Sequence, residues 1–294
     1  MQRGNAMLLA GTCAGAVAAM LVVAAAVRPP GPAEAAGPPH AAVPSLTTSV
    51  ATTATSAPPA TSAKAPPVPD GASLAKLVPG KVSVLVYDRK NDRDVVSYRP
   101  DTTYTSASLV KLFIAFEALR QGEPAGEVAE MLSRSDDDVA SRLWMQLGGP
   151  KIVSSWAART GLKSTTPPPD AGHWGSTLVT AADLVRTYRY LMDEAPAGTR
   201  QVVLRALDGA TEHGADGFDQ FFGIPGAVTA TDWAVKQGWS CCDPGRNLHT
   251  SGLVAGRRYI VVVLTAQSAA TSWATATQRV TAVVKALSGP LGWA

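Results

Sequence analysis

The sequence predicts an α/β (α+β) fold in which a five-stranded antiparallel sheet is flanked by helices and stands beside a helical lobe. Three observations carry this reading. Two β-rich segments come early in the folded part, three come late, and the stretch between them has the spacing of helices.

Residues 81–87, Lys-Val-Ser-Val-Leu-Val-Tyr, form a strand by their β-branched density. Polar turn material at 88–94 then leads to a second strand near 95–98, which makes a hairpin. A helix is expected to start at Ser106 or Ser108 and to run to about Arg120. Leu109, Val110, Leu112, Phe113, Ile114 and Phe116 leave it hardly any polar face, and a helix apolar all round is a buried one. Further helices are expected at 126–133, 137–147, 151–159 and 180–192, separated by Gly-Gly-Pro, Thr-Gly and a Pro-rich stretch. The pattern then reverts to strands at 233–237, 247–254 and 257–266, the last two joined by Ala255-Gly256 as a tight turn. A final helix over 272–287 closes the chain.

Ahead of this domain, assigned to residues 71–294, lie two parts that cannot join its core. Residues 7–27 are an uncharged run of 21 residues behind Arg3, long enough to cross a bilayer as a helix. An uncleaved anchor with residues 1–6 in the cytoplasm is expected, the alternative being a cleaved signal peptide processed at Ala33-Glu34-Ala35. Either leaves the rest extracytoplasmic, membrane-anchored or secreted. Cys13 suits lipid modification less well, because the apolar run continues for fourteen residues beyond it. Residues 28–70 hold 11 Pro, 11 Ala and 10 Ser or Thr with four charges and no aromatic residue, so they have little to bury and form a disordered linker.

A net charge of +3 from scattered Lys and Arg makes no basic stripe, so no nucleic-acid partner is expected. No P-loop, G-x-G-x-x-G, C-x-x-C, H-E-x-x-H or G-x-S-x-G occurs, and neither cofactor nor metal is expected. The partners expected are a small substrate and, through the N-terminal segment, a membrane, with the chain itself a monomer. The adjacent Cys241 and Cys242 read as two small thiols packed at the start of a strand or turn. The alternative is a vicinal disulfide, strained because neighbouring Cα atoms lie only about 3.8 Å apart across a trans peptide.

Three short pieces carry the chemistry: Ser108-Leu-Val-Lys111, Ser135-Asp-Asp137 and Lys236-Gln-Gly238. In S-x-x-K a hydroxyl and an amine three apart share one helix face, so the amine can take the hydroxyl proton. Lys111 falls in an all-apolar helix, where loss of hydration favours its neutral form. The other two pieces add a hydroxyl, carboxylates and a further cation.

In the order of these motifs the chain resembles the penicillin-recognising serine hydrolases, most of all the class A β-lactamases, over roughly residues 75–290. The flanking Tyr104-Thr-Ser-Ala-Ser108, Met131-Leu-Ser-Arg-Ser135 and Asn247-Leu-His-Thr-Ser-Gly252 share in it. The resemblance implies a β-lactamase/transpeptidase-like architecture with the site between the lobes. It implies Ser108 as the nucleophile that forms an acyl-enzyme with β-lactams or D-alanyl peptides of peptidoglycan, Lys111 as its base, and Ser135 as the proton relay to the leaving nitrogen. Lys236 would attract a substrate carboxylate, Gly238 would let backbone come close, and the amides of Trp239 and Ser108 would form an oxyanion hole.

Departures from the pattern bear on function. Where the family has Asn, whose amide binds the substrate backbone, this chain has Asp137, which can accept but not donate when ionised. Gln237 replaces a hydroxyl by a longer amide. Between Gly161 and Thr180, where the family carries the glutamate that activates the deacylating water, there is no Glu; Asp170 and His173 are the candidate substitutes, or else they simply shape a loop after the triple proline. Slow deacylation is expected. The alternative is a catalytically impaired module that binds cell-wall peptide or a protein partner.

Overall fold

The computed structural model describes residues 66–242 and 245–293. The expected anchor or signal segment at 7–27 and most of the linker lie outside the described residues. None of the described helices is long and apolar enough to cross a membrane.

A short helix α1 (Gly71–Ala75), capped by the Asp70 carboxylate, leads into strand β1 (Lys81–Asp88) and its hairpin partner β2 (Arg93–Tyr98). A two-residue strand β3 (Tyr104–Thr105) and a 3-10 turn (Ala107–Val110) precede α2 (Lys111–Gln121). The helical lobe continues with α3 (Ala125–Ser133), α4 (Asp137–Leu147) and α5 (Pro150–Thr160). Strand β4 (Leu178–Val179) pairs with β3, and α6 (Ala181–Arg189) and α7 (Ala197–Asp208) follow. The chain ends with α8 (Ile224–Ala227), strands β5 (Trp233–Ser240), β6 (Arg246–Val254) and β7 (Tyr259–Gln267), and α9 (Trp273–Leu291).

The five long strands form one sheet in the order β2-β1-β7-β6-β5, antiparallel throughout, which is the architecture expected from the sequence. Strand β7 occupies the middle and is buried on both faces. Its Ile260, Val262 and Leu264 join the core on the side of the helical lobe, and Val261 and Val263 join the core under α1, α8 and α9. This two-sided burial explains why β7 reads as an unbroken apolar run rather than an alternation.

Several boundaries differ from expectation. The helix expected at Ser106 or Ser108 opens as the 3-10 turn, so that α2 proper begins at Lys111. β5 runs on through Ser240, and the helix expected to reach Met192 turns into a π-helical segment from Tyr190. Helices α1, α7 and α8 and the β3–β4 pair were not expected; α1 and α8 are too short for periodicity to declare them.

The hairpin is held to β7 through Asp88. Its buried carboxylate accepts from Arg258 Nε at 3.1 Å and Nη2 at 2.7 Å, from Asn91 at 2.7 Å and from the Lys90 amide at 3.0 Å. The Arg258 guanidinium, first among these, holds the carboxyl down to about 2. A depressed carboxyl stabilises the fold above its unfolded pKa and ceases to do so as pH falls through the folded value. Asp88→Ala is therefore expected to lower unfolding free energy at neutral pH by about 2 kcal/mol. In urea titrations the difference between the two proteins should shrink as pH drops from about 4 towards 2.

Candidate active site

The first two motifs meet at one atom. Lys111 opens α2 with its side chain withdrawn from solvent altogether. Its Nζ donates to Ser108 Oγ at 3.0 Å, to the Ser135 carbonyl at 2.6 Å, to Ser135 Oγ at 3.2 Å and to the Asp137 carboxylate. Burial moves its pKa down, and the neighbouring carboxylates, Asp137 first, oppose that shift. The third motif arrives from β5: Lys236 Nζ donates to the same Ser135 Oγ at 2.9 Å and to the Gln237 carbonyl at 3.0 Å. Its pKa falls well below the usual value, through burial and then through the charge of Lys111. Ser135 Oγ thus lies between two buried amines, and of the two Lys111 is the one held by a carboxylate.

The backbone on both sides of this contact is strained. Ala107, just before Ser108, has φ of 46°, and Ser135 has φ of 53°. Such left-handed conformations cost non-glycine residues about 1–3 kcal/mol each and persist only where the surroundings enforce them. Two neighbours hold the segment that leads into Ser108. Gly238 lets β5 lie directly against the turn, since a Cβ there would come within 2.9 Å of the Ser106 carbonyl oxygen. His249 on β6 fixes β3: its Nε2 lies 2.8 Å from the Thr105 carbonyl and its Nδ1 accepts from the Thr265 amide at 3.2 Å. Burial lowers the His249 pKa to about 4, which preserves the neutral ring that can both donate and accept.

Beside Ser108 opens a cavity of about 630 Å³. Asp137, Asp170 and His173 line it, as do Trp174, Trp239 and Cys241. The segment without glutamate forms one wall and is pinned at three places. Asp183 on α6 accepts from the Lys163 and Ser164 amides and from Thr165 Oγ1 at 2.8–3.0 Å. Trp144 donates to the Ala171 carbonyl at 2.8 Å, and Trp174 to Ser141 Oγ at 3.1 Å. The Trp174 ring in turn covers Lys111, its centroid 4.9 Å from Nζ. Sequence reasoning named neither Trp174 nor Asp183; an aromatic residue beside His173 and an aspartate three residues after the cap Thr180 were the available signals.

Asp170 and His173 both reach the cavity, but they engage each other, Oδ2 to Nδ1 at 2.8 Å, while Gly172 donates to Asp170 Oδ1 at 2.8 Å. The Gly172 amide and then His173 lower the Asp170 pKa and so make it a weaker base. Gln237 is buried, with its amide donating to the carbonyls of Gln220 at 3.0 Å and Phe222 at 2.6 Å, so those donors face protein rather than the cavity. Lys236 is buried too and does not line the cavity. Trp239 does, stacked on Phe218 at 4.9 Å with its indole N–H on Asp216 at 2.9 Å. Cys241 and Cys242 are exposed at the end of β5 and joined to each other by a disulfide, which corrects the expectation of two packed thiols.

Comparison with known proteins bears on the fold. No known family model matches the chain. Proteins of Mycobacterium tuberculosis and Mycobacterium bovis named "Putative lipoprotein LppW" are 41% identical over 216 residues, 68% of this chain and 68% of theirs. Among solved structures, a β-lactamase from Chitinophaga pinensis aligns with TM-score 0.64 at 13% identity, covering 73% of this chain and 95% of its own. A class A β-lactamase from Mycobacterium abscessus aligns with TM-score 0.61 at 23% identity, covering 75% and 97%. The fold expected from the motifs is the fold observed.

If burial sets the state of Lys111 against the pull of Asp137, an NMR titration of isotope-labelled lysines should find Lys111 with a midpoint below that of an ordinary lysine. Asp137→Asn should move the midpoint lower still, because it removes the charge that favours the ammonium. Gly238→Ala should push β5 off the Ser106 carbonyl and lengthen the contact between Lys236 and Ser135, visible as a change in the same spectra.

Proposed function

Because the chain belongs to the family of the mycobacterial protein LppW and carries the class A β-lactamase fold, we propose that it is an exported serine acyl-transfer enzyme acting on a β-lactam or a D-alanyl peptide bond. The observation that carries this reading is the hydrogen-bonded series from Ser108 through Lys111 and Ser135 to Lys236. Ser108 Oγ attacks the carbonyl carbon while the Lys111 amine takes its proton. The amides of Ser108 and Trp239 receive the charge that develops on the carbonyl oxygen. As the carbon–nitrogen bond breaks, Ser135 gives a proton to the leaving nitrogen and is resupplied from the amines on either side of it. Water then cleaves the ester on Ser108. With no glutamate between Gly161 and Thr180 to activate that water, the last step is slow.

The apolar N-terminal run and the lipoprotein name of the relatives both support a domain held outside the membrane, through residues 7–27 or through a lipid on Cys13. A second reading, a module that binds cell-wall peptide or a protein partner without chemistry, is favoured by one observation, the ion pair of Asp137 with Lys111.

A fluorescent penicillin should label the domain, and Ser108→Ala should abolish labelling with the fold unchanged by circular dichroism. Lys111→Ala should slow acylation by about 100-fold or more. With a chromogenic cephalosporin, a burst near one equivalent should precede a slow steady rate. Absence of any covalent mass gain on Ser108 would favour the binding module. Protease added to intact protoplasts should release the domain, and a Cys13→Ser variant should stay bound only if the apolar run is the anchor.

A further inference from the structure

The cavity beside Ser108 has an unusual charge balance. Among the described residues that line it are two carboxylates, Asp137 and Asp170, and neither a lysine nor an arginine. The two lysines of the motifs lie beneath its surface, fully buried and committed to Ser135. Its walls carry the indoles of Trp174 and Trp239, one face of the first already over Lys111 and one face of the second stacked on Phe218. Asp137 holds Lys111 through Oδ1 alone, and Oδ2 has no hydrogen-bond partner among the described residues, on a side chain that is 62% exposed. Since Lys111 bridges Asp137 to Ser108, this carboxylate stands two hydrogen bonds from the attacking oxygen.

We propose, resting on the serine acyl-transfer reading above, that the cavity selects acyl donors carrying a positively charged amine on the carbon next to the scissile carbonyl, with Asp137 as the counter-ion. Such an amine is two covalent bonds from the carbon that Ser108 attacks, and Ser108 and Asp137 line the same cavity. An ionised acceptor gains most from a charged donor, and a neutral amide carbonyl at this place would face a carboxylate that cannot donate to it. In a peptide the amine is the free amino terminus. The acyl group transferred is then the first residue: the Ser108–carbon bond forms, the carbon–nitrogen bond to the second residue breaks, and the proton lost by Ser108 reaches the departing nitrogen through Lys111 and Ser135. The incoming ammonium also competes for Asp137 and weakens the pairing that favours the charged form of Lys111, so that the amine gives its extra proton to solvent more readily and is then free to accept from Ser108.

Two β-lactams test this with the same ring and different charge. 6-Aminopenicillanic acid carries a free amine beside the lactam carbonyl, an ammonium only below that amine's own pKa, so the rates are compared at a pH below it. In benzylpenicillin the same nitrogen is acylated and neutral at any pH. Covalent mass gain would be timed with both compounds for the wild type, Asp137→Asn and Ser108→Ala. Asn keeps an oxygen for Lys111 and the shape of the side chain, so the fold should hold. The ratio of acylation rates, free amine over acylated amine, is expected to fall at least about tenfold on Asp137→Asn, corresponding to 1.4 kcal/mol of lost charge pairing. The wild-type ratio should also decline as pH rises past the pKa of the probe's amine. A ratio unchanged by Asp137→Asn overturns the inference and leaves acyl transfer standing. No adduct with either compound, in the wild type or in Asp137→Asn, overturns the acyl-transfer reading and this inference with it.

Discussion

The amine of Lys111 is buried away from bulk solvent, and this single constraint organises the surrounding chain. An ammonium so placed costs several kcal/mol unless acceptors surround it. The turn before α2 supplies Ser108, the α3–α4 connection supplies Ser135 and Asp137, and the loop before β4 lays Trp174 over it. Three segments far apart in sequence therefore meet because each satisfies one side of the same buried group. The lobe and the sheet are joined there as well, since Ser135 also receives Lys236 from β5.

Two buried amines on one hydroxyl cannot both keep their protons cheaply, and the structure treats them differently. Lys111 has a carboxylate; among the described residues the hydrogen-bond partners of Lys236 are a hydroxyl and a carbonyl. Asp137 thereby becomes the residue on which the charge of the whole cluster depends. It is also where the chain departs from the Asn of the β-lactamase pattern. The other departure is the loop without glutamate, whose Trp174 lays an indole face over the Lys111 amine.

Much of this was legible in the sequence, for definite reasons. Strand β1 could be read because β-branched residues crowd into it, and β7 could be read although buried on both faces because its apolar run is bounded by the turn at Ala255-Gly256 and by polar residues after Gln267. Ser108, Lys111, Ser135 and Lys236 could be singled out because each belongs to a spaced motif. What could not be read depends on through-space direction. Gln237 lies on the same strand as Lys236, and only the fold reveals that its amide meets the carbonyls of Gln220 and Phe222. The Asp137–Lys111 contact joins residues 26 apart, and Trp174 covers Lys111 from a loop with no periodicity at all. The bond between Cys241 and Cys242 was not legible either, because adjacency alone does not decide between two thiols and a disulfide.

The two left-handed residues that flank the buried amine, Ala107 and Ser135, make the fold and the site rivals. Any change that lets either relax releases energy to the folded state and at the same time frees the nucleophile or its neighbour to wander. Laboratory evolution of this protein for heat resistance alone would find such changes early, since relief of strain is among the easiest gains available. Lineages selected that way should drift towards tougher molecules with a disordered site, whereas lineages selected for turnover should accumulate stabilising changes at a distance, in the sheet core and in α9.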